Sequence, residues 1–386
     1  MPLPYPVAYS LPYSVKIVLR EPGRFLPAVL AIAFSAVLVS MQSGMLLGFL
    51  QTSSRPVDRV GADLWIGSRD MPALGFSHPI ETTWYGRIAS QPEVAEVEPY
   101  LYGITMWHRD DGGLEQCYVV GTRLGEDSIG RLVDLTQSQR AQLARVGAVG
   151  LYDPDRKLLG IRGGEGTIGE ISGVRVEIAA LIQGPTKAAG LMPGLICSLR
   201  TAHRLLPSLR SDQATYLIAR CHDPADAERV ARRLRARYPD MAAYTRAEMA
   251  LRTQQYWLTK TRAGLVLAFS AILGLLVGAV ITSQTFYSAT AAAWREFSVL
   301  RALGIPARHV VGLLLIQALL VGALGILAAW PFTLLLVEIG IRYNVQAVLP
   351  LWLVAAVAVV TLGTAMLAGL VALRSLQLVE PGALLR

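Results

Sequence analysis

The chain has 386 residues, 53% of them hydrophobic and only 17% charged, with a net charge of +8 and a mean hydropathy of +0.43. A soluble domain carries about 25% charged residues, so this balance argues against a simple soluble fold and for a membrane protein. No basic run is interleaved with aromatic residues, which speaks against nucleic acid and for membrane topology and lipid headgroups as the use of the positive charge.

The first 24 residues include "SLPYSVKIVLREPGRF", a short apolar and basic stretch suited to lie in the cytoplasmic headgroups; a disordered leader is the other reading for residues 1–10. Four stretches then lack Asp, Glu, Lys and Arg for 28 to 32 residues each. A bilayer crossing needs about 20 apolar residues. The expected spans are 25–50, 263–288, 310–337 and 351–373. The first is too long for a signal-peptide core and has no clear A-x-A site after it, so it is read as a helix that stays.

Between the first two spans lies a segment, 51–262, long enough for a core of its own. "ADLWIGS" (62–68), "QCYVVGT" (116–122) and "VRVEIAALI" (174–182) read as strands from their β-branched and aromatic content. "PADAERVARRLRARY" (224–238) reads as a helix, with Ala227, Val230, Ala231, Leu234 and Tyr238 at helical spacing after an Asp-Pro start. A further helix is expected to resume after Pro239-Asp240 and run through Arg246–Gly264 into the second span. That would set Tyr256 and Trp257 at the outer face of the bilayer. The irregular order of strands and helices predicts an α+β domain.

The short loops set the orientation. The N-terminal segment carries Lys16, Arg20 and Arg24, the loop 289–309 carries Arg295, Arg301 and Arg308, and the tail 374–386 carries Arg374 and Arg386. The loop 338–350 has only Arg342. Both termini and the loop 289–309 are therefore expected in the cytoplasm, with 51–262 and 338–350 outside. The fold expected is a polytopic α-helical membrane protein, with four transmembrane helices and one large α+β extracytoplasmic domain.

Sites of chemistry are scarce. A phosphate-binding G-x-x-x-x-G-K-[ST] loop needs a Lys after Gly. The lysines, Lys16, Lys157, Lys187 and Lys260, follow Val15, Arg156, Thr186 and Thr259. "GGEGTIGEISG" (163–173) is read as a hairpin or loop. The histidines form no H-E-x-x-H pair, and there is no G-x-S-x-G elbow. Cys117, Cys197 and Cys221 form no C-x-x-C pair; one disulfide or buried free thiols both stay open. No catalytic, metal-binding or cofactor-binding residue is assigned.

The spans are also poor in charge, whereas ion-coupled transporters keep ionisable groups there. Their polar residues are mild: Gln42, Thr282, Ser283, Gln284, Thr285 and Gln317, with Gln284 read as an interhelical hydrogen bond. Energy for any transport must come from elsewhere. Two small-residue pairs at spacing four, Gly274 with Gly278 and Ala365 with Gly369, would let helices approach closely within a bundle or a homodimer.

The island between the second and third spans, "WREFSVLRALGIPARHV" (294–310), forms about two helical turns in projection. Phe297, Leu300 and Leu303 share one face, Arg295, Glu296 and Arg301 are more exposed, and Gly304 and Pro306 end it. It suits docking into a groove on a soluble partner; a solvated connector is the other reading. Within "VGAVITSQTFYSATAAAWREFSVLRALGIP" (277–306), a V-G-x-x-I-x-x-Q-x-x-Y pattern precedes E-[FY]-[AS]-x-L-[RK]-A-[LM]-G. This stretch resembles the signature of FtsX-type ABC transporter permeases, in particular the DevC and MacB branch. The order of one span, a large outer domain and three spans is similar too. "VDRVGADLWIGSR" (57–69) and the tail "LRSLQLVEPGALLR" (373–386) also resemble that branch.

The resemblance implies a permease in the bacterial inner membrane that works as a homodimer with a separate ABC ATPase subunit, so that the chain itself is not an enzyme. ATP and Mg would sit on the partner. Arg295, Glu296, Phe297, Leu300, Arg301, Leu303 and Gly304 would form the coupling interface. Family members transmit ATP-driven motion to the outer domain, many of them with a periplasmic adaptor and an outer-membrane channel, which implies efflux of a substrate the residues do not name. An FtsX-like transmitter that activates an outer-face enzyme, or a lipoprotein-release permease, are the alternatives.

Overall fold

The first charge-free run forms one helix of 37 residues, α1 (Pro22–Asp58), in the computed structural model, which describes residues 22–131, 135–184, 191–292, 306–343 and 345–377. The chain divides into two compact units, Met1–Gly48 with Leu265–Arg386, and Phe49–Gly264. In chain order, the second unit contains β1 (Leu64–Ser68), β2 (Ile80–Glu81), α2 (Tyr85–Ala89), β3 (Val94–His108), β4 (Leu114–Thr122), α3 (Gln137–Leu143) and β5 (Ala148–Tyr152). It continues with α4 (Asp155–Leu158), β6 (Ile168–Ile171), β7 (Val174–Ile182), β8 (Gly194–Ser198), α5 (Leu199–Leu205) and β9 (Gln213–Ala214). It ends with β10 (Tyr216–Cys221), α6 (Ala227–Arg237), β11 (Met241–Thr245) and α7 (Arg246–Lys260). The first unit adds α8 (Arg262–Ala292), α9 (Ala307–Arg342) and α10 (Leu351–Gln377).

Three helices are long and apolar enough to cross a membrane, over Phe25–Asp58, Arg262–Thr285 and Leu315–Arg342. α10 carries a shorter apolar stretch, Leu351–Leu367, among the described residues.

The large sheet of the second unit runs β11-β1-β10-β3-β4-β8-β5-β7-β6, and β6 returns to pair with β3. That return closes β3, β4, β8, β5, β7 and β6 on themselves. β4–β8 and β5–β7 are parallel and the other pairs antiparallel, a mixed sheet in an α+β unit. The fifteen residues of β3 serve both halves: Val94–Tyr100 pair with β10, and Leu101–His108 with β4. β6 and β7 meet in a two-residue hairpin whose turn, Ser172 (φ 46°) and Gly173 (φ 83°), lies wholly in the left-handed region. Such turns match the twist of the strands they join, and the stretch read as a hairpin or loop is this hairpin with the loop that leads into it. At the other end of the sheet, β11 pairs only with β1, and the Arg235 guanidinium donates to the Ala243 carbonyl at 2.7 Å.

Alternation along β1 sorts the core. Leu64 and Ile66 face α6, whose Val230, Ala231 and Leu234 are buried with them. Trp65 points the other way, into a cluster with Tyr100, Tyr216, Met249 of α7 and Val57 near the end of α1. A strand's side chains alternate faces, so one five-residue strand holds α6 on one side and the ends of α1 and α7 on the other. α6 begins three residues later than expected, because Pro224–Asp226 form a tighter 3-10 turn whose start the Asp223 carboxylate caps by accepting from Ala225 N–H.

The helix expected from Arg246 through Gly264 into the second span is interrupted. β11 precedes it, and α7 stops at Lys260 because Thr261 is extended (φ −108°, ψ 146°) before α8 begins at Arg262. The Thr261 hydroxyl donates to the Trp257 carbonyl at 2.6 Å and accepts from Gly264 N–H at 3.1 Å, satisfying backbone groups that the break leaves open.

All three cysteines are buried free thiols, so the disulfide reading does not hold in this structure. Burial pushes Cys117 up to about 12 and Cys221 up to about 11, and raises Cys197 as well. A thiol near 11 is ionised to roughly one part in a thousand at pH 8, and only the thiolate reacts. A disulfide-exchange reagent at pH 8 should therefore find almost no thiol in the folded chain and all three after denaturation. Rapid reaction of one thiol in the folded protein would contradict this.

Candidate functional site

Small residues set the contacts inside the first unit. A Cβ on Gly274 would meet Gln42 and Leu38 of α1 at 3.1 and 3.4 Å, and one on Gly278 would collide with the Ser35 hydroxyl. The α8 backbone thus lies directly on α1, as small-residue spacing permits. Ala365 is fully buried and faces α9, where a Cβ on Gly322 would come within 2.8 Å of Leu362 and 3.9 Å of Ala365. Gly369 lies in α10, with its surroundings outside the described residues. Gly325 of α9 packs on Ile32 and the Val29 carbonyl of α1.

Sequence reasoning missed a third small pair with the same spacing, Gly44 and Gly48. Both hold the extended stretch 345–350 against α1: Val348 N–H donates to the Gly44 carbonyl at 3.0 Å, and the Gln346 carbonyl closes on Gly48. The spacing was visible; its partner was a loop rather than a helix, which pattern alone does not reveal.

Gln284 departs from its expected role. Its side chain is exposed in the single chain, and its carbonyl accepts from the Ser288 hydroxyl at 3.0 Å. Thr282 of α8 and Gln317 and Thr333 of α9 are buried instead, at 0%, 4% and 3% exposure. α8 also leaves Phe269 75% and Val266 63% exposed.

α8 ends at Ala292, and Pro306, extended at φ −59° and ψ 141°, precedes α9. The seven residues expected to meet an ATPase, Arg295, Glu296, Phe297, Leu300, Arg301, Leu303 and Gly304, lie between them and outside the described residues.

The three helices after the inserted unit are what comparison with known families recognises. Residues 268–377 match the family described as FtsX-like permease C-terminal. A search of curated proteins finds no match for the chain. Among solved structures, the chain is similar to the extracellular domain of the noncanonic ABC-type transporter YknZ from Gram-positive bacteria, at 10% identity and a TM-score of 0.34, over 47% of this chain and 98% of that one. It is also similar to the periplasmic region of MacB from Actinobacillus actinomycetemcomitans, at 11% identity and a TM-score of 0.33, over 50% of this chain and 92% of that one.

The matched stretch begins inside α8 and ends with α10, so Gly274, Gly278, Gly322, Gly325 and Ala365 all lie within it. α1 precedes the inserted unit. It lies outside the matched residues and packs on them through Ile32, Ser35, Leu38 and Gln42.

The end of α1 is also built into the inserted unit, a feature sequence reasoning did not foresee. Thr52, Ser53, Ser54 and Val57 are buried there. The Ser54 hydroxyl accepts from the Gln254 amide of α7 at 2.8 Å, and Arg59 Nη1 donates to the Tyr152 hydroxyl at 3.5 Å. The charges of Arg59 and of Asp155, which is fully buried at the start of α4, both act on Arg55. The only visible hint was two arginines directly after an apolar run, which reads as a topology signal.

Proposed function

We propose that this chain is the permease subunit of an ABC-type exporter in the bacterial inner membrane. α1, α8, α9 and α10 would be four spans, with both termini in the cytoplasm and Phe49–Gly264 on the outer side. A separate ABC ATPase would hold ATP and Mg and carry out hydrolysis, and the loop around Glu296–Gly304 would receive its motion. The permease would then transmit that motion to the outer domain and so drive efflux. The observation that carries this reading is the FtsX-like match over 268–377, which spans the helices on both sides of that loop.

The pair would be a homodimer, supported by the exposed Gln284 and the exposed apolar residues of α8, which a lone chain leaves to lipid or a second copy. An adaptor and an outer-membrane channel would complete the export path.

Topology is the direct test. Single cysteines at Gly112 and Gln346 are expected to be labelled by a membrane-impermeant maleimide on intact cells, and one at Ala302 only after permeabilisation. The buried native thiols keep the background low. Labelling of Ala302→Cys on intact cells would refute the arrangement.

A further inference from the structure

The loop between β1 and β2 is unusually well held. Leu74 N–H donates to the Thr253 hydroxyl at 3.1 Å, Gly75 N–H to the Tyr216 hydroxyl at 2.7 Å, and His78 N–H to the Ser68 hydroxyl at 3.1 Å. Met71, Ala73 and Leu74 are buried. Gly75 sits at φ 87°, a turn that side chains rarely adopt. The next residue, Phe76, is the loop's one large apolar side chain left exposed, at 38%.

Phe76 does not stand alone. Its ring centroid lies 4.6 Å from that of Tyr256 and 6.1 Å from that of Trp257 in α7. Trp257 in turn meets Phe49 edge-on at 6.0 Å. Phe49 is the penultimate residue of the first expected span, 25–50, and α7 leads into the apolar run that starts at Leu265. Given the proposed reading of these runs as spans, Phe49 marks the level at which α1 leaves the hydrocarbon. The ring contacts then bring Trp257, Tyr256 and Phe76 to that same level. Aromatic rings with one apolar side and one wet side settle at this depth. Arg69 and His78 of the same loop are exposed and can donate to phosphate oxygens, with exposed Asp70 as the opposing charge.

We infer that the loop Arg69–Pro79 is a membrane-contacting element of the inserted domain, with Phe76 inserted among the headgroups of the outer leaflet. The bilayer surface is its partner. The domain is then held to the membrane by a loop that begins eleven residues after α1 ends and packs on α7, so its base would stay seated while the helices move. The inference rests on the proposed span reading.

The test uses the full chain in phosphatidylcholine vesicles containing a lipid spin-labelled near the headgroup. One fluorophore is attached at a time to Phe76→Cys, to Lys260→Cys just before the second apolar run, or to Ala247→Cys. Ala247 lies thirteen residues before Lys260 along α7, about 20 Å along the helix axis. The fluorophores at Phe76 and Lys260 are expected to lose most of their emission and the one at Ala247 to keep it. His78→Cys, which retains the ring, replaces Phe76→Cys if that variant does not fold. Quenching at Lys260 with none in the loop would overturn the inference alone. Absence of quenching at Lys260 as well would overturn the span reading and the inference together.

Discussion

Replacing Phe297 and Leu300 together by Ala is expected to leave the chain folded and inserted but to detach its ATPase. Full burial of such a side chain contributes roughly 1.5–3 kcal/mol. The pair then contributes about 3–6 kcal/mol, on the order of a hundredfold to ten-thousandfold in affinity. Glu296 at the rim of a groove should matter less, about 0–1 kcal/mol as an exposed ion pair. Gly304 would fix the end of the helix, where a left-handed residue other than Gly costs about 1–2 kcal/mol. The measurement is co-purification from membranes, with export followed in the same cells. An ATPase recovered at wild-type yield with the double variant would reduce the loop to a connector and move the coupling to Ser14–Arg20 or the tail.

The second large effect is expected at Asp155. Its carboxylate is fully buried at the start of α4, and its charge acts on Arg55 near the end of α1. Leaving a group without its buried partner costs about 1–3 kcal/mol, and Arg55, only partly buried, keeps part of its hydration. For a unit of this size each kcal/mol corresponds to about 2–4 °C, so Asp155→Ala should lower the melting temperature by about 2–12 °C. Adding Arg55→Met should restore part of that, since an apolar side chain leaves no stranded cation. Near-UV circular dichroism of the detergent-solubilised chain follows both. An unchanged melting curve for Asp155→Ala, or a further drop in the double variant, would show that this contact does not hold the helix end.

What the sequence disclosed follows from what each signal measures. Charge-free runs mark stretches that lipid can surround, so the long apolar helices were evident. They say nothing of where a helix stops, and α1 runs on to Asp58 with Thr52, Ser53 and Ser54 inside the second unit. β1, β4 and β7 were visible because Trp65, Ile66, Tyr118, Val119, Val120 and Ile178 are typical strand residues. β3 was not, because Pro99, Glu96, Glu98, Ala95 and Gly103 interrupt its pattern, and it succeeds by having partners along its whole length. β11, with Ala242 and Ala243 at its centre, has almost no local preference and is placed by β1. Of the candidate site residues, Gly274, Gly278 and Ala365 could be located because close packing needs only a small side chain. Docking on a soluble partner depends on a surface that belongs to another chain, and the residues assigned to it lie outside those described.

The return of β6 to β3 has a consequence for how other proteins can bind the inserted unit. Open sheet edges invite foreign strands, which lengthen the sheet through main-chain bonds with little regard to sequence. Here one end of the sheet is consumed by its own closure, and at the other Arg235 already occupies a carbonyl of β11. At the closed end a docking protein must therefore read side chains and loop tips, which makes recognition there dependent on sequence, and strand addition to this sheet is confined to the β11 edge.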